Sequence, residues 1–252
     1  MSFPLAIFLG AVQGLTEFLP ISSSGHLVLL QKLFGITEPP IFFDVLVHLG
    51  TLGAVVVFFG RGLKKVLRVE RVVRNIVVGT LPIVVVGLLV QPLVEIIFDS
   101  LLVVSLGYFF TAALLLWSRK LEKGIKGIKG LKDFEALVIG AFQAAAILPG
   151  VSRSGATIVA GLSQDLDREA AFRFSFYLSI PAIIGAVVLQ LKDLSIVNFL
   201  PQSFLGMIVA GVVGYFSLKI LRRVLLSERF YLFSFYCFLL GLISGVLTIL
   251  KI

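Results

Sequence analysis

Six stretches of this chain are long and apolar enough to cross a lipid bilayer, and this limits its fold more than any other feature. A hydrocarbon core of ~30 Å takes ~20 helical residues to span. Segments 41–60, 75–97, 100–118, 169–190, 203–221 and 231–250 meet that requirement with few charges. Lipid offers no hydrogen bonds to exposed backbone, so such spans must be helices. Composition agrees: 58% of the 252 residues are apolar and 14% are charged, against ~25% charged in soluble chains. A water-soluble fold is excluded. Cys237, the one cysteine, lies in an apolar run, can form no intrachain disulfide and reads as a packing residue. No signal peptide is expected, because the first apolar stretch lacks a basic start and runs into a polar motif rather than a cleavage site.

Two further apolar regions are broken in the middle. Region 3–34 is interrupted by Pro20-Ile21-Ser22-Ser23-Ser24-Gly25, and region 134–163 by Pro149-Gly150-Val151-Ser152-Arg153-Ser154-Gly155. Each half is too short to span, and Pro, Gly and hydroxyl residues end helices. Irregular backbone at membrane depth survives only where protein or a wet cavity shields it. Both regions therefore read as re-entrant hairpins: helix in, turn, helix out on the same side.

The basic residues test this topology. If both hairpins return to their starting side, loops 61–74, 119–133 and 222–230 share a side. With Arg168, Arg173 and Lys219 nearby, that side holds eighteen Lys and Arg, against Lys32, Lys192 and Lys251 on the other. This positive-inside bias puts the basic loops in the cytoplasm and both termini outside. It also accounts for the +8 net charge without nucleic acid. A hairpin that spanned fully would scramble the segregation.

The halves of the chain are related. Residues 10–25 shifted by 130 positions match at Gly10/Gly140, Ala11/Ala141, Gln13/Gln143, Ser22/Ser152, Ser24/Ser154 and Gly25/Gly155, and Gly53-Ala54-Val55-Val56 is echoed by Gly185-Ala186-Val187-Val188. Each half reads as a hairpin plus three spans. Three crossings are odd, so the second half is inverted relative to the first, a transporter-like plan in which the two breaks meet near the midplane. The expected architecture is one all-α polytopic membrane domain over 1–252, with six transmembrane helices and two re-entrant helix-turn-helix hairpins. Repeat one is 1–118, the linker is 119–133 with its Gly124-Ile125-Lys126-Gly127-Ile128-Lys129-Gly130 run, and repeat two is 134–252. Pro82 and Pro181 are expected to kink their helices, and the many Phe residues to face lipid.

Ionisable groups at membrane depth are costly and usually functional. Here they gather at the breaks: Glu17, His26 and Arg153, with Gln13 and several serines beside them. Gln13 and Glu17, four apart, share a helix face. The turn before His26 presents free N–H groups at a helix N-terminus, a ready anion site. If the breaks meet, Arg153 faces the serines and His26, and a planar, permanently charged fork among hydroxyls suits phosphate. Blander readings stand beside these. Ser22 or Ser24 can be helix caps, Glu17 and Arg153 a structural ion pair, and Asp44 and His48 a hydrogen-bonded helix pair. Glu95 and Asp99 are expected at an interface end.

Residues Gln13-Gly14-Leu15-Thr16-Glu17-Phe18-Leu19-Pro20-Ile21-Ser22-Ser23-Ser24-Gly25-His26-Leu27 and Leu148-Pro149-Gly150-Val151-Ser152-Arg153-Ser154-Gly155-Ala156-Thr157 resemble the two signatures of the undecaprenyl-diphosphate phosphatases, the bacitracin-resistance family. The resemblance covers essentially the whole chain. It implies hydrolysis of undecaprenyl diphosphate to the monophosphate and phosphate, recycling the cell-wall lipid carrier. It also implies a site reached from the outer face of the cell (inner) membrane, a divalent cation (Mg or Ca) and a homodimer, with no role for nucleic acid. On this resemblance Ser23, His26, Glu17 and Arg153 are catalytic and Glu17 binds metal. Ser22, Ser24, Gly25, Ser152, Ser154, Gly155, Thr157 and Gln13 would contact substrate. Ser23 would attack with His26 as base, or His26 would be nucleophile or base for water, and Glu17 would orient His26 or bind the cation. One departure is Gln13, where the family often has Glu; a second carboxylate is missing.

Two rivals remain at this level. The inverted repeat with broken helices is also a plan for a transporter or flippase of a polyprenyl phosphate lipid. Ser24-Gly25-His26 echoes the phosphatidic-acid phosphatase superfamily, but the second catalytic His-Asp pair and the upstream Lys and Arg motif of that fold are not found here.

Overall fold

The computed structural model describes residues 1–34, 41–190 and 201–250. It is helical throughout, with no strand among the described residues. In chain order the helices are α1 (Phe3–Phe18), α2 (Ser23–Phe34), α3 (Ile41–Val66), α4 (Glu70–Val90), α5 (Val94–Asp99), α6 (Leu101–Trp117), α7 (Asp133–Ala145), α8 (Arg153–Ser163), α9 (Arg168–Gln190), α10 (Pro201–Leu226) and α11 (Phe233–Ile249). Six helical stretches are long and apolar enough to cross a membrane: Phe42–Gly60, Glu70–Leu93, Leu101–Lys120, Arg168–Gln190, Pro201–Leu226 and Phe230–Ile249. They are the six expected spans. The second begins earlier and ends earlier than expected, because Pro92 turns the chain from α4 into a short 3-10 segment, Gln91–Leu93. Pro82 and Pro181 lie inside continuous helices.

The surface is what lipid requires. Large apolar side chains stand exposed all around the spans, Val57, Leu89 and Leu106 among them, where a soluble fold would present charge. The polar groups are inside. Phe residues divide between the two. Phe110, Phe216 and Phe235 face outward, but Phe18, Phe43, Phe172, Phe174 and Phe230 are fully buried. Phe58, Phe59, Phe172 and Phe176 form a cluster of mostly edge-on rings, with Phe59 stacked on Phe176. The expectation of lipid-facing bulk is corrected for these rings, which fill the core instead. Cys237 is a core residue too, its thiol donating to the Pro20 carbonyl.

Both broken regions are helix-turn-helix units, α1–α2 and α7–α8, and the two ends of the second are tied together. For α7 and α8 the link is Lys126. Its ammonium reaches Glu135 in the first turn of α7 (2.9 Å) and the Gln164 carbonyl just after α8 (3.4 Å). This end of the molecule collects the basic loops: Arg74 pairs with Asp133, Lys123 with Glu228, and Arg222 with Glu169. At the opposite end Lys32, near the end of α2, pairs with Asp99, while Ala6 of α1 packs with Phe43 and Ala210. Lys192 and Lys251 lie outside the described residues.

The packing has the same exchange in both halves. Helix α1 packs on α10, and α7 packs on α4. Without a hydrophobic force between helices in lipid, close approach through small residues supplies the attraction. Gly10 meets the backbone of Gly206, and Gly140 meets that of Gly79. Gly10 and Gly140 are one of the glycine pairs that match across the repeat, and each touches a glycine of the other half.

Candidate active site

The two breaks meet. The Gly150 N–H donates to Ser22 Oγ (3.2 Å), and the Arg153 guanidinium forms an ion pair with Glu17 through Nη2 and Oε1. Each break caps the helix after it in the same way. Ser22 Oγ accepts from Gly25 N–H (3.3 Å) and lies 3.2 Å from Ser24 Oγ; Ser152 Oγ accepts from Gly155 N–H (3.2 Å) and lies 3.2 Å from Ser154 Oγ. Ser22 and Ser152 therefore act as caps. Ser22 carries φ 62°, uncommon for a residue with a side chain; the three partners of its hydroxyl and the bonds from His26 to its carbonyl hold it there. In the second break that left-handed position falls on Gly150, φ 89°, where a Cβ would run into the Val104 carbonyl.

A cavity of about 620 Å³ opens beside this junction. Its polar wall holds Glu17, Ser22, Ser23, Ser24, Ser152 and Arg153. Its other wall is apolar, built from α4 and α9 with Ile83, Ile183 and Leu189. Glu17 is the hub. The Glu17 side chain is 4% exposed, and its carboxylate accepts from Ser23 Oγ (2.9 Å), Gln13 Nε2 (3.1 Å) and Arg153. Arg153 lines the cavity, and its Nη1 is buried without a partner among the described residues. The first N–H groups of α2 and α8 have no intrahelical acceptor. Two helix N-termini, a guanidinium and a serine hydroxyl therefore converge on one apolar-backed space. Such a space suits a phosphate attached to a greasy chain.

The structure brings together Glu17, Ser23 and Arg153, with Gln13 behind Glu17. It does not bring His26 to the cavity wall. His26 Nδ1 lies 2.7 Å from the Ser22 carbonyl, which can only accept, so Nδ1 carries the proton; Nε2 then accepts from Tyr236 Oη (2.7 Å). Tyr108 Oη is also 3.0 Å from Nδ1. Both nitrogens are thus engaged, and the ring braces the turn that carries Ser23. Gly25 leaves room for Tyr108, whose Oη would stand 2.8 Å from any Cβ there. Gly155 lies against Pro20, and Thr157 bonds to the Arg153 carbonyl (2.8 Å) and Ser175 Oγ (2.6 Å). Gly25, Ser154, Gly155 and Thr157 thus stand behind the wall, while Ser22, Ser24 and Ser152 form part of it. Sequence reasoning missed Tyr108, Tyr236 and Gln190, which nothing in their own apolar spans distinguishes.

The donor set limits what ion the site can hold. Among the described residues there is no cluster of three or more His, Cys, Asp or Glu. One carboxylate with neutral oxygens nearby does not make a cage. It does fit a hard cation whose remaining ligands are water and phosphate oxygens.

Fold and site together define a polytopic α-helical membrane protein with a hydroxyl–carboxylate–guanidinium centre where two helix breaks meet. A family model described as bacitracin resistance protein BacA matches residues 6–243, and the chain belongs to that family. It is similar to the undecaprenyl-diphosphatase of Desulfosudis oleivorans, 46% identical over 93% of this chain and 94% of that one. It is also similar to the proteins of that name from Desulforapulum autotrophicum, 42% identical over 94% and 95%, and Methanosphaera stadtmanae, 37% identical over 97% of each.

Proposed function

We propose that this chain hydrolyses undecaprenyl diphosphate to undecaprenyl phosphate and inorganic phosphate, returning the lipid carrier to use in cell-wall synthesis. The observation that carries the reading is the convergence of Ser23, Glu17 and Arg153 on a cavity whose opposite wall is apolar. The relatives' common name points to hydrolysis rather than transport.

Phosphoryl transfer is mainly positioning plus charge stabilisation. The prenyl chain lies along the α4–α9 wall, and the diphosphate reaches Arg153 and the N–H groups of α2 and α8. Ser23 Oγ attacks the terminal phosphorus, its proton passing to Glu17, and the bridging P–O bond breaks to release undecaprenyl phosphate. A loose transition state demands little basicity of Glu17. Water then cleaves the phosphoserine, and Glu17 returns the proton to Ser23. His26 takes no proton in this scheme; it holds the Ser22–Ser23 turn. A Mg or Ca ion would be held by Glu17, with the Gln13 amide oxygen near, and would supply positive charge to the phosphate oxygens.

The topology belongs to the same proposal. Both hairpins are re-entrant, the basic loops face the cytoplasm, both termini lie outside and the site opens to the outer face of the inner membrane. The functional unit is a homodimer. The decisive assay is phosphate release from undecaprenyl diphosphate by the purified protein in detergent, where no gradient exists, with and without EDTA. Release that EDTA abolishes supports the reading. A folded protein that binds the lipid and releases nothing would leave the cleft a transport or binding site.

A further inference from the structure

The cavity wall contains a second ionisable group that the reaction above does not use. His48 of α3 lines the cavity together with Gln190 of α9. It lies neither in the two motifs nor at either break. Its Nδ1 is 2.8 Å from the Asp44 carbonyl oxygen and 3.6 Å from the Asp44 carboxylate. A carbonyl oxygen only accepts, so Nδ1 carries the proton, and whenever the ring is neutral its lone pair is on Nε2. Among the described residues Nε2 has no hydrogen-bond partner, in contrast to His26, whose Nε2 is filled by Tyr236. Asp44 is itself fixed from another helix, its Oδ2 accepting from Gln190 Nε2 (3.0 Å). Asp44 of α3, itself held by Gln190 of α9, thus fixes the imidazole in one orientation. The ring is partly open, 27% exposed, unlike Glu17. This is the arrangement of a base whose proton-bearing nitrogen is held by a backbone carbonyl, with a carboxylate 3.6 Å away to favour its charged form. The charged groups sharing its cavity are Glu17 and Arg153.

We propose that His48 is the general base for the second half-reaction, taking a proton from the water that cleaves phospho-Ser23. Resting on the phosphatase reading, this supplies what that reading lacks. Glu17 leaves the first step protonated and can serve as acid to Ser23, so it cannot also deprotonate the water. In the second step the water oxygen bonds to phosphorus, its proton passes to His48 Nε2, the P–Oγ bond breaks, and Ser23 Oγ recovers its proton from Glu17. His48 then gives its proton to the departing phosphate or to bulk water. Asp44 and Gln190 are positioning residues.

The test separates the two half-reactions. In His48→Gln, steady-state phosphate release falls by ~100-fold or more, the usual contribution of a general base. A single turnover still releases undecaprenyl phosphate rapidly, in a burst close to one equivalent per active site. The protein then carries one phosphoryl group on Ser23, visible by intact mass. In His48→Ala, added imidazole restores part of the phosphate release. Asp44→Asn slows the same step less, with phosphoenzyme again accumulating. Overturning results are a His48→Gln protein that turns over within a few-fold of wild type, or a slow one that forms no phosphoenzyme and is not rescued by imidazole. A wild type that releases no phosphate at all would instead overturn the phosphatase reading, and His48 with it.

Discussion

Arg153→Ala leaves Glu17 as a buried carboxylate without its cation. Removing one partner of a buried ion pair typically costs ~3–5 kcal/mol, because the remaining charge is uncompensated. Here two donors stay behind, Ser23 Oγ at 2.9 Å and Gln13 Nε2 at 3.1 Å, and the pair borders a cavity. The lower end, about 3 kcal/mol, is therefore expected. For a chain of this size that is a fall of roughly 6–12 °C in unfolding midpoint. The informative variant is the double one. Adding Glu17→Gln removes the stranded charge while keeping its shape, so Arg153→Ala/Glu17→Gln should be more stable than Arg153→Ala, recovering roughly 1–3 kcal/mol through the coupling of the two sites. Thermal unfolding in one detergent, followed by intrinsic fluorescence across the wild type, both single variants and the double, measures this cycle. Additive losses, with the double variant the least stable of the four, would refute the claim that the two groups meet as a buried charge pair. The cycle also separates structure from chemistry: the double variant regains stability and stays inactive.

Other outcomes follow from the same geometry. Ser23→Ala should lower phosphate release by at least ~1000-fold, on the scale of losing a nucleophile, while unfolding within a few degrees of wild type. Gln13→Glu sets a second carboxylate beside Glu17 and removes an amide donor to it; the variant should need less added cation for half-maximal activity and be less stable in EDTA, both read by titration. Gly140→Ala puts a methyl group into the Gly79 backbone, where neither helix can yield. It should cost ~1–3 kcal/mol, read as a lower unfolding midpoint, with activity falling as the α4–α7 contact opens.

Much of the fold is legible in the chain because lipid makes length and polarity decisive. Six spans follow from apolar length alone, and the breaks announce themselves by Pro20 and Pro149 inside otherwise apolar runs. The meeting of the breaks follows from the repeat: Ser22 and Ser152 sit at matched positions and make matched caps. The sequence cannot say which way a ring turns. His26 follows the serine turn directly and so reads as a cavity base, yet Tyr108 and Tyr236, 82 and 210 residues away in the chain, hold it elsewhere. His48 and Asp44 read as a simple helix pair because Gln190, which fixes Asp44, belongs to a span 146 residues distant. The buried rings of Phe172 and Phe174 are indistinguishable by composition from the lipid-facing ring of Phe216. In each case the deciding neighbour is supplied by packing between spans, where helical pattern is weak because lipid and core are equally apolar.

Phosphate release from undecaprenyl diphosphate by detergent-purified wild type, beside Arg153→Ala and Ser23→Ala, tests most directly whether the paired breaks form a phosphatase centre. Multiple turnovers are expected of the wild type and almost none of either variant, with all three proteins folded. Wild-type rates in either variant would place the chemistry elsewhere in the molecule and contradict the site.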